Sequence, residues 1–85
     1  MKKLRYNIIL RQEPEGGFTV FVPSLPGCIT YGKTLSEAQR MATDAIRAYL
    51  ASLRRHRESV PSDETNFIGT VELERSAEKR LPAYA

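Results

Sequence analysis

The chain has 85 residues, 41% of them hydrophobic and 27% charged, which is enough for one small domain and too few for two. No stretch approaches the roughly 18 apolar residues of a membrane span, and no apolar signal core follows the N-terminus, so a cytoplasmic protein without membrane contact is expected. A single cysteine, Cys28, and a single histidine, His56, exclude an internal disulfide framework and a Cys/His zinc site, and 13 basic against 10 acidic residues, net +3, is too slight a bias to imply nucleic acid.

Leu4, Tyr6, Ile8 and Leu10 alternate with Arg5, Asn7 and Arg11, which predicts a strand over Leu4 to Arg11 with one buried face. Glu13-Pro14-Glu15-Gly16-Gly17 is a turn of hairpin length, and Phe18 to Val22 alternates again until Pro23 removes a ladder donor. After the stiff connection Pro23-Ser24-Leu25-Pro26-Gly27-Cys28, the stretch Ile29 to Tyr31 suffices for a short third strand. Thr34-Leu35-Ser36-Glu37 is a capping box opening a helix from about Leu35 to Arg55. Its apolar residues Leu35, Ala38, Ala42, Ala45, Ile46, Tyr49 and Leu53 form one stripe that packs on the sheet. Val60 to Asn66 reads as loop. Phe67, Gly69, Val71 and Leu73 then alternate with Ile68, Thr70, Glu72 and Glu74, predicting a last strand at Phe67 to Leu73, parallel to strand one after the helical crossover. The expected fold is α+β, a two-layer β-β-β-α-β with a three-stranded antiparallel meander, one parallel strand and one long helix on one face.

Three segments stand out: Glu15-Gly16-Gly17-Phe18, Val22-Pro23-Ser24-Leu25-Pro26-Gly27-Cys28 and Gly32-Lys33-Thr34-Leu35-Ser36-Glu37-Ala38. With a strand before them and a long helix after them, they resemble the N-terminal domain of the HicB-like antitoxin family over about Leu4 to Glu74. The resemblance implies a partial ribonuclease H-like fold, with residues 1–75 as the HicB-like antitoxin domain and 76–85 as a flexible C-terminal tail. It also implies a role in a type II toxin-antitoxin pair: binding and masking a small, basic, HicA-like toxin that cleaves messenger RNA. Family members commonly add a C-terminal segment that binds promoter DNA. The 11 residues after Glu74 are too few for a helix-turn-helix, which puts repressor activity in question but not toxin binding.

The residues themselves argue against chemistry. Two-metal phosphoryl transfer needs converging carboxylates, yet the first three predicted strands hold no Asp or Glu, while Glu37 and Asp44 sit two helical turns apart. Cys28 has no histidine or lysine beside it and reads as a buried core residue; His56, among arginines at a helix end, reads as compensating the helix dipole. No catalytic residue, metal or cofactor is expected.

Binding is a different matter. If one helix covers the side bearing Leu4, Tyr6, Ile8, Phe18, Val20 and Val71, the other side shows Ile9, Phe21 and Ile68, a candidate oligomer face or toxin-binding face, or simple scattered exposure. A homodimer or tetramer is expected from it. Arg54, Arg55 and Arg57 project at the helix end, either as a solvated terminus or as a contact for an acidic partner or nucleic acid. Ribonucleases that hold phosphates are basic, so Glu13, Glu15, Glu72 and Glu74 are the candidate toxin contacts. The competing reading is a stand-alone homo-oligomeric interaction protein of the same fold with no toxin.

Overall fold

The computed structural model describes residues 3–75; the expected tail, 76–85, lies outside the described residues. Three strands, β1 (Ile9–Gln12), β2 (Phe18–Phe21) and β3 (Ile29–Gly32), precede one helix, α1 (Leu35–Arg55). Both strand pairs are antiparallel and the sheet order is β1-β2-β3. The α+β meander with a helix on one face is thus the observed architecture.

Alternation decides which face is covered. Leu10, Val20 and Thr30 are cross-strand partners on the helix side, where Val20 is fully buried against Ala38 and Ala42. A second cluster joins Val22, Leu25, Cys28 and Leu50, with Tyr6, Ile8, Tyr49, Leu53 and Val60 packed around it. Leu25 is the plug of the Pro-rich connection. Hydrogen bonds from Leu25 N to Val22 O, from Cys28 N to Leu25 O and from Tyr49 Oη to Pro26 O fold that loop onto the helix. α1 lies chiefly over β3 and then β2, so β1 sits at the margin of the covered face.

The helix begins and ends on side-chain and backbone caps. Thr34 Oγ1 accepts from Glu37 N at 3.0 Å, and Glu37 Oε1 accepts from Lys33 N at 2.6 Å, one residue earlier than the reciprocal bond of a standard capping box. At the other end Glu58 N donates to Leu53 O and Arg57 N to Arg54 O, a Schellman arrangement in which Arg57, at φ 57°, holds the left-handed position usually given to glycine. Helix and sheet meet most closely at Gly32: a Cβ there would stand 2.3 Å from Ala38 N and 2.4 Å from Ala38 Cα. The α1 N-terminus can cross β3 at this distance only because residue 32 has no side chain.

Three expectations need correction. Strand one is shorter than Leu4 to Arg11. Beyond Ile9↔Phe21 its partner strand runs into Pro23 and the loop, so Leu4 to Ile8 have no ladder to join. Leu35, assigned to the buried stripe, is 58% exposed, because it opens the helix above the sheet edge. The largest departure is at the C-terminal side: among the described residues there is no fourth strand. Phe67 to Leu73 pairs with nothing, and Val71, expected under the helix, is 84% exposed. The chain is turned away where Asp63 and Asn66 bond to Arg5 and Asn7, and Phe67 lies under the Arg5 guanidinium, 5.3 Å from ring centroid to Cζ, instead of continuing along β1.

Two substitutions test these contacts. Gly32→Ala should destabilise by about 3 kcal/mol or more, because backbone, not a flexible side chain, must give way. Arg57→Gly should raise Tm by several degrees, the effect of relieving about 1 kcal/mol of left-handed strain in a domain this small. Thermal denaturation followed at the helical circular dichroism band measures both; a neutral Gly32→Ala would show that α1 can shift off β3.

Candidate functional site

The open side of the sheet is built from two cross-strand rows. Ile9, Phe21 and Ile29 are register partners in the first, Arg11, Thr19 and Tyr31 in the second. Ile9 is 44% and Ile29 57% exposed, although Phe21 between them is only half-buried. The Arg11 guanidinium lies over the Phe21 ring, Cζ 5.0 Å from the centroid, and covers part of it. Of the three expected oligomer-face residues, Ile9 and Phe21 are therefore neighbours, while Ile68 is 54% exposed on the segment that leaves the sheet. Sequence reading missed Ile29 and Tyr31. Their alternation with Thr30 was visible, but assigning them to this face needed the β2–β3 register.

The hairpin end of the same face is cross-linked by side-chain bonds. Glu13 Oε2 accepts from Arg11 Nε at 3.0 Å and from the Thr19 hydroxyl, and Arg11 Nη2 stands 3.0 Å from the same oxygen. These bonds, Thr19 first, hold the Glu13 carboxyl below its ordinary pKa. Tyr31 Oη donates to Gly16 O at 3.0 Å, packed so tightly on Gly17 (φ 83°) that a Cβ there would overlap the hydroxyl. Glu13 is thus committed to the hairpin, whereas Glu15 is exposed in the β1–β2 turn and Glu72 and Glu74 are exposed on the C-terminal segment. The four acidic residues lie on two separate elements. Arg54 and Arg55 are exposed in the last turn of α1 and Arg57 just beyond it.

Around the β3 edge the apolar surface continues into a shallow groove lined by Gly27, Cys28, Ile29, Ala45, Ala48 and Tyr49. Cys28 is 6% exposed, and burial pushes its thiol pKa up, away from the thiolate that nucleophilic chemistry needs. His56 Nδ1 is 2.8 Å from Ser52 O, a bond within the helix end. Both groups are engaged in packing and capping.

One residue that closes the fold was hidden in the expected loop. Asp63 is 2% exposed, and its carboxylate accepts from the Ser24 hydroxyl, from Asn7 N at 2.9 Å and from Asn66 Nδ2 at 3.1 Å. Its own N–H donates to Arg5 O at 2.7 Å, while Tyr6 Oη donates to Pro61 O. Three segments, residues 5–7, the β2–β3 connection and residues 61–66, are thereby tied at one point, and the exposed chain from Phe67 onward departs from it. The only sequence signal was Ser-Asp-x-x-Asn, a turn in which Asn66 N bonds back to Asp63 O.

The sequence model for the HicB-like antitoxin of bacterial toxin-antitoxin system matches residues 6–78. A UPF0150 protein of Thermoplasma acidophilum is 43% identical over 65 residues, which are 76% of this chain and 94% of that protein. A UPF0150 protein of Synechocystis is 37% identical over 59 residues, 69% of this chain and 75% of its own length. The antitoxin HicB of Escherichia coli K12 is 40% identical over 43 residues, 51% of this chain but 31% of that longer protein.

The Asp63 knot has a pH signature. Its hydrogen bonds, Ser24 first and then Asn7 and Asn66, hold the carboxyl below its ordinary 3.8. A lowered folded pKa contributes stability that is complete above the unfolded value and is lost as pH falls through the folded one. Asp63→Asn should therefore melt well below wild type at pH 7, and the gap should narrow once pH drops under about 4. A gap of constant size from pH 7 to pH 3 would mean that the charged form is not what the donors hold.

Proposed function

The chain belongs to the HicB-like antitoxins of bacterial toxin-antitoxin systems, and we propose that it neutralises a small, HicA-like, RNA-cleaving toxin by covering it, with no reaction of its own. The family match over residues 6–78 carries this reading. The geometry supports it: an open face with an apolar row, Ile9, Phe21 and Ile29, a buried thiol and an imidazole bonded within the helix end. On this reading the three strands and α1 are a partial ribonuclease H-like scaffold used as a surface.

A toxin that binds RNA must present cations to phosphates, so the complementary contact is acidic. Glu15, Glu72 and Glu74 are exposed and suited to it; Glu13 is held by Arg11 and Thr19 and shapes the hairpin instead. Arg54, Arg55 and Arg57 are a second possible contact, for acidic groups on the toxin's periphery. A second reading, a homo-oligomeric interaction protein without a toxin, draws on the UPF0150 relatives, of which the chain covers 75% to 94%, against 31% of the Escherichia coli antitoxin. Co-expression and co-purification with the product of the adjacent gene separates the two.

Charge reversal tests the contact. Glu72→Lys with Glu74→Lys should weaken toxin binding at least tenfold, about 1.4 kcal/mol, and more steeply at low salt. Glu13→Lys with Glu15→Lys should cost less, since only Glu15 is available to the toxin. Binding is read by calorimetry on samples whose oligomeric state has first been checked by light scattering. If neither pair reaches tenfold, the acidic contact is wrong and the apolar face or the helix end must hold the toxin.

A further inference from the structure

The segment 67–74, Phe-Ile-Gly-Thr-Val-Glu-Leu-Glu, has the pattern of a strand and no sheet. Its exposures are those of an unfolded stretch: Phe67 75%, Ile68 54%, Val71 84% and Leu73 73%. Among the described residues no backbone hydrogen bond ties it to the rest of the chain. Four large exposed apolar side chains, on a segment without a backbone partner among the described residues, are an unmet demand of the fold.

The same fold has an unmet edge. β1 is at the end of the sheet, and its outer edge from Ile8 to Gln12 carries no proline to block pairing. Because α1 lies over β3 and β2, the helix-side residues Ile8 and Leu10 at this margin are only partly buried. The segment fits that edge in two respects. One of its faces, Phe67, Gly69, Val71 and Leu73, is apolar and would cover Ile8 and Leu10. The other face begins with Ile68, which would extend the row of Ile9 and Phe21. Apolar meets apolar on both faces.

The segment does not reach this edge in its own chain, because the Asp63 knot and the Arg5–Phe67 contact send it outward. We propose that it pairs with the β1 edge of a second copy of this chain, and that the second copy returns its own segment, so that two chains complete each other's sheets in a closed two-fold dimer. Reciprocity satisfies both segments and both edges at once and leaves no template for further addition. The oligomer contact is then made by edge pairing, not by stacking of the two open faces. No toxin is required, so failure of this proposal leaves the reading above standing, and the converse holds too.

Analytical ultracentrifugation of the full chain alone should show a dimer at micromolar concentration. Val71→Pro, which removes a ladder donor and fixes φ, should give a monomer that keeps its helical circular dichroism, since the segment contacts little of its own body. Phe21→Arg should stay dimeric. Pairing is read directly by co-expressing Ile9→Cys and Ile68→Cys chains and adding a short bismaleimide, with Cys28 shielded by burial. Covalent dimers should form from the mixture and not from either variant alone. A monomeric full chain overturns the proposal, as does a dimer lost in Phe21→Arg but kept in Val71→Pro. Efficient self-crosslinking of Ile68→Cys alone also overturns it, because it would place the two segments against each other.

Discussion

A buried carboxylate must be solvated by the protein when water is excluded, and the way Asp63 is solvated sets the course of the whole chain. No cation stands within ion-pair distance among the described residues; the charge is met by hydroxyl, amide and backbone donors from Ser24, Asn66 and Asn7. Those donors come from the β2–β3 connection, the chain before β1 and the turn after α1, which have no ladder or helix in common. One side chain therefore closes the fold at the end where the sheet has already stopped. It also fixes the point and direction from which residues 67–74 leave. An apolar residue at 63 would leave the same three donors facing a dry site, which is why loss of the charge and loss of the residue are different experiments.

The second constraint is one of coverage. A single helix of 21 residues, placed over β3 and held there by the absence of a side chain at Gly32, covers part of one face of a three-stranded sheet and nothing of the other. The open face is made stable without a cover: Arg11 stacks on Phe21, Glu13 fixes Arg11, and Tyr31 caps the hairpin at Gly16. These contacts leave an apolar row, Ile9, Phe21 and Ile29, flanked by charge. Side chains already held by a partner have less conformational freedom to lose when another protein docks on them.

What was legible in the sequence was whatever is local. The alternation of Ile8 and Leu10 with their neighbours, that of Phe18, Val20 and Val22, the Thr34 cap and the stripe of Ala38, Ala42 and Leu53 each report on neighbours a few residues away, and each is found in place. What was not legible depends on distance along the chain. Asp63 is buried by groups 39 and 56 residues away, so nothing beside it in sequence announces its burial. Ile29 and Tyr31 join the open face through a register that alternation alone does not give. Arg57 holds a left-handed position that sequence statistics assign to glycine, and the helix stops there because Leu53 and Arg54 carbonyls find donors, not because the residue prefers it. For 67–74 alternation correctly marked two faces, but it cannot say which edge, or whose, those faces will meet.

That last distinction bears on how the two surfaces relate. The sequence grouped Ile9, Phe21 and Ile68 on one face, and within one chain only the first two are together. With the exchange proposed above, Ile68 of a second copy takes the place beside Ile9, and the three residues form one row across two chains. Glu72 and Glu74 move with it, from a solvated segment to the margin of the open face. A toxin contact through those glutamates would then be composite, presented by the edge of one chain and the segment of the other. Dimer formation and toxin binding would be thermodynamically linked, each strengthening the other by the same factor, because a ligand that recognises only the assembled surface shifts the equilibrium toward it.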